Sequence, residues 1–148
     1  MSRWSEEAAK RSRERREAKY IAERKAQQDK ELLTSKGRAL WISMKSLLVR
    51  KCEEFNAEPG NSGVLWVVAN PADVTLHCEQ HPGVITGTFG DNAIVFSGKS
   101  GIAFAASLYM RFTKDQMDVC VADDSGRPVD FDDVANEMIE ALLEAGGW

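Results

Sequence analysis

The densest group of metal-binding residue types in the sequence is His77-Cys78-Glu79-Gln80-His81. Histidine nitrogen and cysteine sulfur are the usual zinc ligands, and a structural zinc site needs four such groups. If this segment is a strand, His77 and Cys78 point to opposite faces and do not readily share one ion. Cys78 is then better explained as a small core residue, and His81 falls in a turn before Pro82. We therefore expect no metal site.

Residues 93–100 (Ala-Ile-Val-Phe-Ser-Gly-Lys-Ser) fit a relaxed phosphate-binding P-loop pattern, with Ala93 where the first glycine normally stands. A P-loop needs a flexible loop whose amides surround the phosphates and then open a helix. Here the residues before Ser97 are strand-like, and an alternating pattern follows, so no helix is expected. The sequence favours a hairpin turn over Ser97–Gly101 instead of a nucleotide site.

Nucleophilic catalysis has no recognisable signature either. The chain has two histidines and three cysteines, and it lacks the Gly-x-Ser-x-Gly nucleophile elbow. The late acidic residues do not follow the order of a calcium-binding EF-hand loop, and helix capping and solvation explain them. These are Asp123, Asp124, Asp130, Asp132 and Asp133. We predict a non-enzymatic protein with no catalytic residues and no cofactor.

Charge is distributed unevenly along the chain. Residues 1–38 carry twelve Lys and Arg against seven Asp and Glu, a net charge of +5. Residues 39–148 carry seven against sixteen, a net charge of -9, which gives the total of -4. A basic segment joined to an acidic body is typical of an interaction arm.

The basic charge is most concentrated in residues 10–19, at Lys10, Arg11, Arg13, Arg15, Arg16 and Lys19. This segment resembles the arginine-rich RNA-binding helices of lambdoid phage antitermination proteins. The matching residues are, in order, Arg11, Arg13, Glu14, Arg15, Arg16 and Lys19. In that family the helix enters the major groove of an RNA hairpin, where arginines contact phosphates and an aromatic ring stacks on a loop base. Here Tyr20 follows Lys19 directly, whereas the family's aromatic comes later, and those proteins lack a strand-rich body. The resemblance implies RNA binding as an alternative; a solvated charged helix produces the same pattern.

The first 33 residues predict an exposed helix, because they lack Gly and Pro and are rich in good helix formers. Ser2 can cap its start. No heptad seam runs through Arg11–Lys19, which disfavours a coiled coil along the full length. Residues 34–37 mark a break or a restart, and the sequence leaves open whether the helix continues through Gly37.

We predict a basic helical arm over residues 1–34 and one α+β domain over residues 35–148. Apolar residues from Leu40 to Phe55 recur at helical spacing, and Pro59-Gly60 stops that helix. A short apolar run follows, and then five more short strand-like segments with short links, which predicts a meander of about six antiparallel strands. The C-terminal apolar stripe predicts a last helix packed on one sheet face, capped by Asp130 and ended by Gly146-Gly147. The predicted strands are Val64–Ala69, Asp73–Glu79, Val84–Phe89, Ala93–Ser97, Ile102–Phe112 and Met117–Ala122.

The first predicted strand is apolar on both sides, although two helices cover only one face of a sheet well. Either the sheet curls and buries both faces, or the second face is a protein interface. In the second case Trp66, Tyr109 and Arg111 would lie on it, and these residue types are the usual interface anchors.

The sequence thus predicts a protein-interaction module, self-associating or a small subunit of a larger assembly. It would dock through the N-terminal helix and one sheet face. The expected interface residues are Trp4, Tyr20, Ile21, Trp66, Tyr109 and Arg111. RNA binding by the arm is the first alternative. A small-ligand carrier with a pocket between sheet and helices is the second, and a small-molecule ligand is the least expected partner.

We predict the cellular location of the protein from the targeting and membrane segments that the sequence lacks. The N-terminus is charged, which predicts no signal peptide. The longest apolar run, residues 64–69, is far shorter than a transmembrane helix of about 20 residues. Three irregularly spaced cysteines form no disulfide framework. We expect a reduced, cytoplasmic protein with no membrane partner.

Overall fold

The computed structural model describes residues 2–147, which form a long helix, a six-stranded antiparallel sheet and a second helix. This arrangement confirms the predicted α+β class and the order of its elements. The helices are α1 (Arg3–Ala57) and α2 (Phe131–Ala145). The strands are β1 (Leu65–Ala69), β2 (Asp73–Cys78), β3 (His81–Gly90), β4 (Ala93–Lys99), β5 (Ala105–Phe112) and β6 (Val119–Ala122).

Helix α1 is continuous over 55 residues, a length of about 82 Å. Its first turn is capped by Ser2, whose Oγ accepts a hydrogen bond from the Ser5 N–H at 3.3 Å. Helix α1 continues through Gly37 without a break, because Gly37 is itself helical and is buried. A Cβ there would come within 3.1 Å of Met110 Cγ and 3.2 Å of Asn92 Oδ1. The glycine therefore lets the helix approach the sheet closely, and it does not end the helix.

The strands pair in sequence order, β1-β2-β3-β4-β5-β6, with the short links that a meander requires. The starts of two strands differ by three residues from the sequence-based expectation, and the other strand bounds differ by two residues or fewer. His81 is the first residue of β3, because β2 and β3 are joined through a two-residue turn and Cys78 pairs with His81. Strand β5 begins at Ala105 and not at Ile102. The Ile102 carbonyl lies directly over Gly98, where a Cβ would clash with it, and the Gly98 N–H donates to the Phe104 carbonyl at 2.8 Å.

Both helices cover the same face of the curled sheet. Helix α1 contacts β1, β5 and β6, so it bridges the two edge strands, while α2 packs on β2 and β3. The core-facing residues of α1 recur three to four positions apart, which puts them on one side of the helix. They are Trp41, Met44, Leu48 and Cys52. Opposite them the inner face of the sheet contributes its own fully buried side chains, chiefly Leu65, Leu76, Ile85, Ile94 and Phe96.

Each edge strand is shielded. In β1 the carboxamide of Asn56, from the end of α1, accepts from the Leu65 N–H at 3.0 Å and donates to the Leu65 carbonyl at 2.7 Å. Asn56 thus replaces one peptide of a neighbouring strand. In β6 the Val121 carbonyl accepts from the Val129 N–H at 2.8 Å. Blocking free edges in this way prevents strand-to-strand aggregation.

We expect Asn56→Ala to lower the free energy of unfolding by about 1–3 kcal/mol, because it leaves a half-buried N–H and carbonyl of Leu65 without partners. Urea denaturation followed by circular dichroism measures the loss. Glu54→Ala, at an exposed site on the same helix, is the control and should change stability by less than about 0.5 kcal/mol. Equal stability of the two variants would contradict this role of Asn56.

Candidate interaction surfaces

Residues 3–31 of α1, called the arm here, extend away from the body of the protein. None of them is buried, and Gly37 is the first fully buried residue of the helix. At 1.5 Å per residue the arm is roughly 44 Å long. It therefore presents every side of a helix to its surroundings while the rest of α1 is fixed in the core.

The predicted basic residues of the arm are all exposed: Lys10, Arg11, Arg13, Arg15, Arg16 and Lys19. Their contacts are local and weak. The Arg16 guanidinium donates to the Ser12 carbonyl at 3.4 Å, and Lys19 lies 3.9 Å from Glu23. Exposed pairs of this kind contribute about 0.3–0.5 kcal/mol each. The positive charge of the arm thus remains available to a partner.

Three large apolar side chains of the arm are also exposed, Trp4 by 72%, Tyr20 by 63% and Ile21 by 66%. Trp4 lies near the tip, and Tyr20 and Ile21 lie about 24 Å further along the helix. The sequence placed these three residues at an interface. The structure leaves them unburied in two separate patches.

The outer face of the sheet, away from both helices, is open. It carries Trp66, Val68 and Val95, each between 43% and 52% exposed. Of the two alternatives that the sequence left open, burial of both faces therefore does not occur in the described chain. The Trp66 ring stacks on His77 at 5.1 Å between centroids, because the two residues are paired across β1 and β2.

Tyr109 and Arg111 lie together on this outer face, with the Arg111 guanidinium 5.3 Å from the centre of the Tyr109 ring. They belong to β5, four strand positions from β1, or about 19 Å along the sheet from Trp66. The three residues predicted for the sheet interface are therefore on the expected face, but they form two distant sites and not one.

An open groove of about 850 Å³ lies where the arm meets the body. Trp41 forms its floor: the indole N–H donates to the Pro71 carbonyl at 2.9 Å, and the ring stacks on Phe89 at 5.5 Å. The ammonium of Lys45 lies 5.3 Å from the Trp41 ring centre and donates to the Asn70 carbonyl. The sequence did not predict this groove, because α1 and two hairpin turns that are distant from it in sequence form the groove together. The core between the sheet and the helices, where a ligand pocket was considered, contains fully buried side chains such as Phe96 and Leu142.

Helix α2 presents an acidic face to solvent, opposite its apolar face. Four exposed carboxylates follow one another at spacings of four, three and four residues: Asp133, Glu137, Glu140 and Glu144. Residues at these spacings are neighbours on one side of a helix, and like charges there repel one another by a few tenths of a kcal/mol per pair. None of the four forms an ion pair within residues 2–147.

The remaining chemical motifs do not come together as sites. Among residues 2–147, no three His, Cys, Asp or Glu side chains are grouped so that they could hold a metal ion. His77 lies on the outer face and Cys78 is buried on the inner one, while His81 Nδ1 accepts from the Gly83 N–H at 2.8 Å. The P-loop-like segment is β4 followed by a tight turn at Ser100 and Gly101, where φ is +57° and +95°.

The three cysteines should differ in reactivity. Burial, together with the Glu53 carboxylate, raises the pKa of Cys52 to about 11, so its thiol stays protonated at pH 8. Cys78 is buried, whereas Cys120 is half-exposed. Because the thiolate is the nucleophile, iodoacetamide at pH 8 should modify Cys120 first. Peptide mass spectrometry locates the adduct, and Cys120→Ser should abolish the fast phase. Early labelling of Cys52 would contradict its placement in the core.

Comparison with known proteins adds no functional precedent for these surfaces. No protein-family model matches the chain, and no curated protein or solved structure matches it. The chemistry and placement of the surfaces are therefore the basis of the proposed function.

No helix in residues 2–147 has both the length and the apolar character to cross a lipid bilayer.

Proposed function

We propose that this protein is a non-enzymatic interaction module that docks on a protein partner through its arm, with the outer sheet face as a second contact surface. One observation carries the proposal. The first 29 residues of α1 form helix with no buried side chain, and they expose Trp4, Tyr20 and Ile21.

The energetics of helices support this reading. An isolated helix gains little stability without packing, and most helices in proteins are stabilised by an apolar face buried against a neighbour. Burying one large apolar side chain stabilises a complex by about 1.5–3 kcal/mol. A helix already continuous with a buried segment also has less ordering entropy to lose on binding. The arm is therefore suited to docking, whether the partner is a second copy or another subunit.

A photo-crosslinking experiment tests the proposal. The amino acid p-benzoylphenylalanine replaces Trp4 in one variant and Tyr20 in another, because these two residues lie on opposite sides of the arm. The matched control carries it at Met117, which is 80% exposed on a loop of the body. We expect light-dependent covalent protein adducts at one or both arm positions and few at Met117. Mass spectrometry of the adducts separates self-association from a foreign subunit. Absence of adducts at both arm positions above the Met117 background would refute docking through the arm.

RNA binding by the arm is a second candidate, and one observation favours it. The six basic residues of the arginine-rich segment are all exposed, on a part of the helix that projects beyond the acidic body. If phosphate contacts dominate, affinity should fall steeply with salt concentration.

The test for this candidate is Arg13→Ala/Arg15→Ala/Arg16→Ala, measured by fluorescence anisotropy with labelled RNA hairpins. We expect binding to be abolished, whereas Arg50→Ala, on the exposed side of α1 within the body, should leave it unchanged. Equal affinity of the wild type and the triple variant would remove the arm from RNA binding.

A further inference from the structure

We infer that the partner of the arm is a second copy of this chain, and that the basic row Arg11, Arg15 and Lys19 docks on the acidic face of α2 in that copy. The inference rests on the proposed function, since it names the partner of the same arm. Three observations support it: the opposite charges of the two rows, the spacing of their residues, and the distance that separates the rows within one molecule.

The basic row occupies one side of the arm. Arg11, Arg15 and Lys19 are spaced four residues apart, so their side chains are neighbours along the helix. The residues three positions before Arg11 and three positions after Lys19 are the small Ala8 and Ala22, and those four positions before and after are the acidic Glu7 and Glu23. The basic row is therefore bounded by a carboxylate at each end, and Lys19 lies 3.9 Å from Glu23.

The acidic row on α2 is slightly longer than the basic row. The row from Asp133 to Glu144 spans about 16 Å of helix, and the row from Arg11 to Lys19 spans about 12 Å. Within each row like charges repel at spacings of three or four residues. Contact between the two rows adds attraction between opposite charges, which offsets these repulsions. Charge complementarity of this kind also accelerates association and excludes partners of the wrong sign.

The two rows cannot meet within one molecule. Helix α2 begins beside Lys51, whose ammonium lies 2.9 Å from the Asp132 carboxylate. About 54 Å of continuous helix separate Arg15 from Lys51, whereas α2 is only about 22 Å long. The far end of α2 also lies away from the arm, because Gly146 is close to Cys78 at the opposite end of the body. Only a second molecule can bring the rows together.

Reciprocal docking gives a closed dimer. Each arm contacts α2 of the other chain, so the same two surfaces are used twice about a two-fold axis. The second contact is then intramolecular and adds avidity to a single weak helix–helix contact. Because the charges are exposed, the dimer should depend on ionic strength.

The test is a charge swap followed by light scattering on chromatographed protein. In about 0.02 M salt we expect a mass near twice 16.4 kDa, and in about 0.5 M salt a monomer, because the Debye length falls several-fold. Arg11→Glu/Arg15→Glu/Lys19→Glu reverses the basic row, and Glu137→Lys/Glu140→Lys/Glu144→Lys reverses the acidic one. Each variant alone should weaken the homodimer by at least about tenfold, as several exposed pairs turn repulsive. An equimolar mixture of the two should form a heterodimer, because both contacts are then attractive again.

Two control variants carry the same change of net charge at other exposed positions. Lys10→Glu/Arg13→Glu/Arg24→Glu lies on the opposite side of the arm, and Glu53→Lys/Glu54→Lys/Glu58→Lys lies at the end of α1. Both should dimerise like the wild type. Circular dichroism confirms that every variant is folded.

Five results would overturn the inference. A dimer that survives both reversals, or a mixture without a heterodimer, would show that other surfaces associate. A peak with excess absorbance at 260 nm that nuclease removes would assign the basic row to nucleic acid. A monomer in low salt whose Trp4 or Tyr20 position crosslinks to a foreign protein would refute the second copy and leave the proposed function standing, whereas a monomer without adducts at either position would refute both.

Discussion

The packing of one side of α1 into a curled sheet is the constraint on which the rest of the structure depends. Trp41, Met44, Leu48 and Cys52 fill the inner side of the sheet, and the same helix contacts both edge strands. Because a six-stranded meander leaves two free edges, a helix lying across the opening supplies apolar contact to both. The end of this helix also shields β1 through Asn56. Core, edge protection and the direction of the arm are thus set by one element.

Because one half of α1 is packed in the core, the other half can project from the body without packing against another part of the same chain. Helix nucleation is costly and propagation is cheap, so the buried turns around Trp41 provide a nucleus from which the arm continues. Gly37 keeps this continuity possible, since any side chain there would press on Met110 and Asn92. The arm therefore has a fixed direction relative to the acidic body, and that direction keeps its basic row away from the body's own carboxylates.

The candidate interaction surfaces are consequently far apart on the molecule. The basic arm, the acidic face of α2 and the aromatic residues of the outer sheet face occupy different parts of the molecule, and each is exposed. The groove at the base of the arm, with Trp41 and Phe89 as its floor, is a further exposed feature between the arm and the sheet.

The sequence by itself determined the class and order of the elements, because hydrophobic periodicity and turn residues are local signals. The apolar stripe of α2, the six short strand-like segments and the helix caps at Ser2 and Asp130 could all be predicted. It also identified the arm as basic and the body as acidic. Only the tertiary structure decided that α1 passes through Gly37, since the glycine's role depends on Met110 and Asn92, distant in sequence. The same holds for the separation of Trp66 from Tyr109 and for the groove beside Trp41. Strand register and helix placement fix these distances, and both result from long-range packing that no local pattern contains.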